Sequence, residues 1–305
     1  MSDIDNDNTK YVHGNNINRK IANKSKNTDK QNNYLDEISR KYEEWKDNNE
    51  QLKGPYLSST CEETKQIIIE RTKLLNNYKD FIDQKEYCEA FDSRSNLQSS
   101  VLEEFMYYLF KDIAVEYNDE TWVGKAHALK DIFLRANNFK SMVSEPNIRL
   151  ETKDEDFIIG PNITSSFQVS GTPKNKIEME KMLIPAIGIE CKTYIDKNML
   201  GEISMTAEQL KYKNPNALYI VVAEWAKISG DVNFQKYKFD QIFILRKQKN
   251  TDRDKRLLPS YQKNPIYEDT VENLFNYVKD YLTGDWTDSI ENGISRGYLI
   301  KKDGM

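Results

Sequence analysis

Ala217-Leu218-Tyr219-Ile220-Val221-Val222-Ala223 runs without a charge or a turn-former. Strand side chains alternate between two faces, so an unbroken apolar run of this length predicts a strand covered on both sides. A fold that holds such a strand needs a layer of structure above it and another below. A second run, Ile184-Pro185-Ala186-Ile187-Gly188-Ile189, comes earlier, and residues 201–213 between the two carry a helical pattern. Strand, helix, strand predicts a parallel pair joined by a right-handed crossover. The earlier run ends in Glu190-Cys191-Lys192, with the whole strand expected over residues 184–195. Alternation places Gly188, Glu190 and Lys192 on one face and Ile187, Ile189 and Cys191 on the other. An unpaired buried charge costs several kcal/mol, so Glu190 and Lys192 need each other, a metal ion or a ligand.

The remaining chain divides into three regions. Residues 1–33 are mostly Asn, Asp, Lys, Ser and Thr, too polar to offset the entropy of ordering, and are expected to form a flexible tail. Residues 34–98 form a helical N-terminal region, with helices over 34–52 and 62–87 carrying Ile67, Ile68, Leu74, Leu75, Tyr78 and Phe81 at helical spacing. Residues 99–305 carry the sheet. Ser99 and Ser100 read as caps ahead of a stripe of Leu102, Phe105, Met106, Leu109 and Phe110; Glu103 borders that stripe and Glu104 points away from it. A further helix is expected over 124–139. Extended chain follows over 147–159, a short strand at 167–170, a polar excursion at 171–181, and a last strand at 241–245. A C-terminal helix with Val271, Leu274, Phe275, Val278, Tyr281 and Leu282 on one face packs outside the sheet. The class is α/β: a mixed β-sheet core flanked by helices, with a helical N-terminal layer.

Composition removes several functions. Three cysteines, Cys61, Cys88 and Cys191, and two histidines, His13 and His127, are too dispersed for a zinc site or a disulfide framework. A metal would therefore be held by oxygen ligands, as magnesium is. No apolar run reaches the ~18 residues of a membrane span, and no signal-type segment follows Met1, so a cytoplasmic protein is expected. The net charge of −5 is only a weak argument against nucleic acid, because affinity follows local basic surface. The phosphate loops of kinases and dehydrogenases, the zincin HExxH and the serine-hydrolase GxSxG are all missing.

An acid-x-lysine triplet is not rare in so charged a chain. Glu44-Trp45-Lys46, Glu63-Thr64-Lys65, Asp83-Gln84-Lys85 and Glu151-Thr152-Lys153 also match. Glu190-Cys191-Lys192 differs in ending an apolar strand, with the acidic strand Asp156-Phe157-Ile158-Ile159 upstream and the helix–strand unit downstream. In this combination the chain resembles the PD-(D/E)XK nuclease superfamily over roughly residues 99–223. Leu102-Glu103-Glu104-Phe105, Lys153-Asp154-Glu155-Asp156-Phe157 and Ile189-Glu190-Cys191-Lys192 are most similar to type II restriction endonucleases of the DdeI and BbvCI group. The resemblance implies that Asp156 and Glu190 are the metal-binding acids, that Lys192 orients or activates the attacking water, and that Glu103, or else Glu104, is the acid of the first core helix. Glu155 stands where the family's proline is found, which leaves Asp154 a rival to Asp156.

Phosphodiester hydrolysis needs an activated water, neutralised nonbridging oxygens and a stabilised leaving oxygen. Mg²⁺, with Mn²⁺ as a substitute, takes one or two carboxylates and keeps several waters. Asp156, Glu190 and the Cys191 carbonyl suffice as its protein ligands, while the Cys191 thiol belongs to the core. Lys192 either lowers the pKa of the water or binds the phosphate. The implied activity is Mg²⁺-dependent, sequence-specific cleavage of double-stranded DNA to 5′-phosphate ends, in defence against foreign DNA and by a homodimer or heterodimer. Gln209 and Lys211 on the crossover helix, and Arg246 and Lys247 in the basic stretch continued by Lys249, Arg253, Lys255 and Arg256, are candidates for DNA contact; a solvated charged loop is the plainer reading of that stretch. His127 reads as a helix-surface residue. A structure-selective repair nuclease and a non-catalytic interaction protein remain alternatives.

Overall fold

The central sheet has the order β1-β2-β5-β6-β7: β1 (Trp122–Leu134), β2 (Ile148–Gly160), β5 (Ile187–Ile195), β6 (Leu218–Ala226) and β7 (Gln241–Ile244). The structure, a computed structural model, describes residues 9–91, 96–114, 116–249, 258, 260–286 and 290–297. Strands β1, β2 and β5 pair antiparallel and β5, β6 and β7 pair parallel. A separate hairpin, β3 (Asn162–Phe167) with β4 (Glu178–Leu183), lies between β2 and β5 in the chain. The parallel step from β5 to β6 runs through a crossover helix, Lys197–Lys213, whose first turn is held by Asp196 accepting from the N–H groups of Asn198 and Met199.

Helices cover both faces of the parallel strands, as the apolar runs require. On one side Ile187, Ile189, Cys191, Leu218, Ile220 and Val222 join a large core with four helical segments: α1 (Val12–Ala22), α2 (Asp29–Gln51), α3 (Cys61–Ile82) and α5 (Ser100–Ala114). Between α3 and α5 lies the short α4 (Lys85–Ala90); after β1 comes α6 (Phe139–Met142), which makes the crossover helix α7. The C-terminal α8 (Glu268–Thr283) adds Val271, Leu274, Phe275 and Val278 to the same core, and a short α9 (Ile290–Arg296) follows it. On the other side Tyr219, Val221 and Ala223 pack under Leu200, Ile203, Ala207 and Leu210 of α7. Two capping boxes, Thr28 with Gln31 and Thr60 with Glu63, start α2 and α3.

Four expectations are corrected, two of them for plain physical reasons. The tail expected over residues 1–33 is helical from Val12, because α1 buries Val12, His13, Gly14 and Ile17 and satisfies its polar groups against α3 and α5 rather than water. The helix expected over 124–139 is strand β1: small residues Gly124, Ala126 and Ala128 are buried in alternation with Lys125 and His127, a period of two that helix-favouring alanines conceal in the sequence. The segment expected as a polar excursion over 171–181 contains the start of β4, and of the short strand expected at 167–170 only Phe167, the last residue of β3, is strand. Ser100, read as a cap, donates to the Asn96 carbonyl at 2.6 Å and meets His13 Nδ1 at 3.0 Å. Among the described residues no helix is long and apolar enough to cross a membrane.

Candidate active site

Asp156 owes its orientation to a β-bulge. Ala126 pairs with Glu155 and Gly124 with Ile158, so Asp156 and Phe157 of β2 stand opposite the single residue Lys125 of β1. A bulge re-aims the side chains it carries. Asp154, two residues earlier, is 69% exposed and lies against the His127 imidazole, whereas Asp156 turns toward β5. The β2–β5 ladder is short, running from Ile159↔Ile187 to Phe157↔Ile189. Where it stops, the Cys191 N–H donates to Asp156 Oδ2 at 3.0 Å.

Lys192 joins the two acids. Its Nζ lies 3.6 Å from Asp156 Oδ2 and contacts Glu190 Oε1 closely. Burial works against the ammonium, yet the charges of Asp156 and Glu190 outweigh it and raise the Lys192 pKa. The Asp156 carboxyl is pushed up to about 6, first by burial and then by the neighbouring charges of Glu190 and Glu103. Glu103 reaches the same region from α5 and pairs with Lys125 Nζ at 2.9 Å. The Cys191 thiol is buried in the core and its pKa is raised by burial, with Asp156 adding to the effect.

The structure separates Glu103 from Glu104. Both faces of α5 are covered, by the sheet and by the N-terminal helices, so Glu104 is fully buried instead of pointing to solvent. It accepts hydrogen bonds from the backbone of His13 (2.8 Å) and Gly14 (3.2 Å) and from the hydroxyls of Tyr42 (2.9 Å) and Tyr108 (2.7 Å).

The DNA-contact candidates scatter. Arg246 is fully buried: its Nε donates to Glu224 Oε2 at 3.0 Å, Nη1 donates to the Asn264 carbonyl at 2.7 Å, and its guanidinium lies 4.7 Å from the centre of the Trp225 ring. The basic stretch thus begins with a core residue, because Arg246 follows a buried strand end and finds a buried carboxylate. Lys247 is exposed and pairs with Asp269; Lys211 pairs with Asp240. Gln209 is exposed and lines a shallow cleft with Lys130, Lys153, Glu155 and Thr206. Arg253, Lys255 and Arg256 lie outside the described residues. Of the competing triplets, Glu151 is exposed and pairs with Lys130, while Lys153 turns toward Glu155 and Thr206.

Sequence reasoning missed Lys125, Glu155 and Tyr219. Glu155 is buried; burial outweighs the help of Lys153 and the Tyr219 hydroxyl and pushes its carboxyl up to about 7. The usable signal was the acid Glu155 between two others; Tyr219 was hidden inside an apolar run.

Oxygen ligands are what this site offers a cation: two carboxylates converge on one ammonium, and their mutual repulsion, visible in the raised Asp156 pKa, is what a divalent ion relieves. That donor set fits Mg²⁺, which uses one or two carboxylates. Among the described residues no group of three or more His, Cys, Asp or Glu side chains is disposed to hold a metal ion, so the fit is to a two-carboxylate site completed by backbone, water or substrate.

A model of the Bpu10I restriction endonuclease family matches residues 94–299. Those residues include Glu103, Lys125, Asp156, Glu190, Lys192 and Tyr219. A solved structure described as the native BbvCI A2B2 tetramer at low resolution has a TM-score of 0.65 to this chain at 18% identity, covering 91% of this chain and 98% of that one. At that identity the likeness is one of fold. No curated protein matches the chain.

Proposed function

Because the chain belongs to the Bpu10I restriction endonuclease family, an endonuclease family acting on DNA, we propose that it cuts double-stranded DNA at a specific sequence in a divalent-metal-dependent reaction that leaves 5′-phosphate ends. The observation that carries this reading is Asp156 and Glu190 converging on the single ammonium of Lys192. Asp156, Glu190 and the Cys191 carbonyl would hold Mg²⁺, with Mn²⁺ as a substitute. When bound, that ion supplies charge neutralisation at the phosphate and a more acidic water. The Asp156 and Glu190 charges raise the Lys192 pKa against the effect of burial, which favours a cation that binds the phosphate or orients the water over a base that takes its proton. Glu103, neutralised by Lys125, lines the approach from α5 and orders water there.

Cutting both strands takes two such centres or two turnovers of one. We therefore place the chain in an assembly of like or unlike subunits; the BbvCI structure is by its title an A2B2 tetramer. Acting in the cytoplasm on incoming DNA, such an enzyme serves defence. Purified protein with plasmid or phage DNA and Mg²⁺ should give discrete fragments whose ends ligate directly, as 5′-phosphates do. EDTA should stop the reaction, and Glu190→Ala or Lys192→Ala should lower the rate by about 10²–10⁴-fold. Undiminished cleavage by these variants overturns the site; a ladder of cuts at branched substrates alone overturns the sequence specificity.

A further inference from the structure

Tyr219 of β6 stands directly beside Gly188 of β5. A Cβ at Gly188 would lie 2.8 Å from Tyr219 Cδ2, 2.9 Å from Cε2 and 3.2 Å from Leu210 Cδ1. The phenol ring therefore crosses the neighbouring strand through space that any larger residue would fill. Its hydroxyl ends 3.1 Å from Glu190 Oε2 and 2.9 Å from Glu155 Oε2. Glu155 is buried and has a second partner, Lys153 Nζ, 3.8 Å from its Oε1.

The two contacts on Glu190 use different oxygens: Lys192 is on Oε1 and the Tyr219 hydroxyl is on Oε2. Lys192 is also shared with Asp156, and in the reaction it turns toward phosphate or water. Glu190 then loses its cationic partner. A neutral hydroxyl on the far oxygen still fixes the carboxylate plane, and it brings no positive charge to compete with an incoming ion. Resting on the active site proposed above, we propose that Tyr219 is a positioning residue that tethers Glu190 through Oε2, leaving Oε1 free for the divalent cation. Gly188 makes room for the tether, and the one hydroxyl proton is shared between Glu190 Oε2 and Glu155 Oε2, which lie on either side of it. Groups that orient a metal-binding side chain from behind contribute roughly 10- to 100-fold to metal affinity or activity.

Tyr219→Phe removes the oxygen and keeps the ring over Gly188. The full-length variant should need about 10-fold more Mg²⁺ for half-maximal cleavage. Its affinity for Mn²⁺ in the absence of DNA, measured by calorimetry, should fall by a similar factor, with a thermal melt showing the variant folded at the assay temperature although Glu155 has lost one donor. Gly188→Ala pushes the ring aside and should weaken Mn²⁺ binding in the same direction. A Tyr219→Phe protein with wild-type Mg²⁺ dependence and Mn²⁺ affinity, tested beside a Glu190→Ala protein that has lost both, overturns the tether and leaves the active site standing. If Glu190→Ala itself retains cleavage and Mn²⁺ binding, the active-site reading fails and the tether falls with it.

Discussion

Two clusters of charge flank β6, and they are built by opposite rules. At its C-terminal end Lys79, Glu224 and Arg246 are all at most 1% exposed. Lys79 lies 2.8 Å from Glu224 Oε1 and 3.1 Å from Asp83 Oδ1, and Arg246 lies against Glu224 Oε2 at 2.9–3.0 Å. The two buried cations meet Glu224 and Asp83, and Lys263 reaches Asp83 from the rim at 3.9 Å, so positive charge is not in short supply. At the β2–β5 divergence, Glu103 has Lys125 and Glu155 has Lys153, but Asp156 and Glu190 share one ammonium between them. Here Asp156, Glu190 and Lys192 remain 19–30% exposed. Burial of charge does not by itself mark a site. A shortage of positive charge in a half-open position does, since it leaves a place for a cation and a route to reach it.

The comparison breaks most clearly under substitution. Glu224→Ala leaves two buried cations facing each other and should cost about 3–5 kcal/mol of stability. Asp156→Asn should act the other way. The folded-state pKa of Asp156 is raised to about 6 from 3.8, so above pH 6 the ionised form is a cost to folding, and the neutral isostere should gain about 1 kcal/mol while abolishing cleavage. Urea unfolding at pH 8 with metal-free protein measures both. A destabilised Asp156→Asn variant would show that Lys192 and the Cys191 N–H satisfy this carboxylate as fully as Glu224 is satisfied, and the distinction between the clusters would be lost.

How much of this was legible in the sequence follows from the same distinction. The β5–α7–β6 unit and the triplet at its heart were visible because continuous apolar runs and alternation are local. Strand β1 was not, because its buried positions are Gly124, Ala126 and Ala128, whose small side chains carry little hydrophobic signal. Glu104 looked exposed because α5 was read as having one buried face; only the placement of α1 and α2 shows that it has two. Arg246 looked like a DNA contact because its partners, Glu224 and Asn264, lie about twenty residues away on either side and cannot be read from the local sequence. A bulge turns Asp156 toward β5 while Asp154 stays exposed, and single-residue register shifts leave no compositional trace.

The buried hub on α5 sharpens the contrast through pH. Burial raises the Glu104 carboxyl from 4.5 to about 7 against the opposing help of its four donors, so between those values the folded protein holds the extra proton and stability falls as pH rises. His13, whose ring meets Tyr78 and Ser100 at 2.7 and 3.0 Å, is lowered by burial and by Lys79 from 6.5 to about 3. The unfolded chain holds that proton, so stability rises with pH between about 3 and 6.5. From about pH 4.5 to 6.5 the two oppose each other. Glu104→Gln should tilt the stability curve upward with pH and His13→Gln should tilt it downward, each by at most about 1.4 kcal/mol per pH unit. Parallel curves for wild type and both variants in denaturant titrations would show that neither group changes protonation on folding.

The smallest effects separate the basic stretch into its parts. Lys247 pairs with Asp269 and lies 4.8 Å from the centre of the Tyr267 ring, and Lys211 pairs with Asp240, contacts near the surface that typically contribute about 0–1 kcal/mol. Lys247→Ala should therefore leave stability within about 0.5 kcal/mol of wild type. Each lysine that meets a phosphate releases about one counterion, so Lys247→Ala should reduce the slope of log affinity against log salt by about 0.9. Arg246→Met should leave that slope unchanged, because its guanidinium faces Glu224 inside the core and reaches no phosphate. Measuring binding to a DNA duplex in Ca²⁺ at several salt concentrations reads this difference. Equal slopes for Lys247→Ala and wild type would remove Lys247 from the DNA interface.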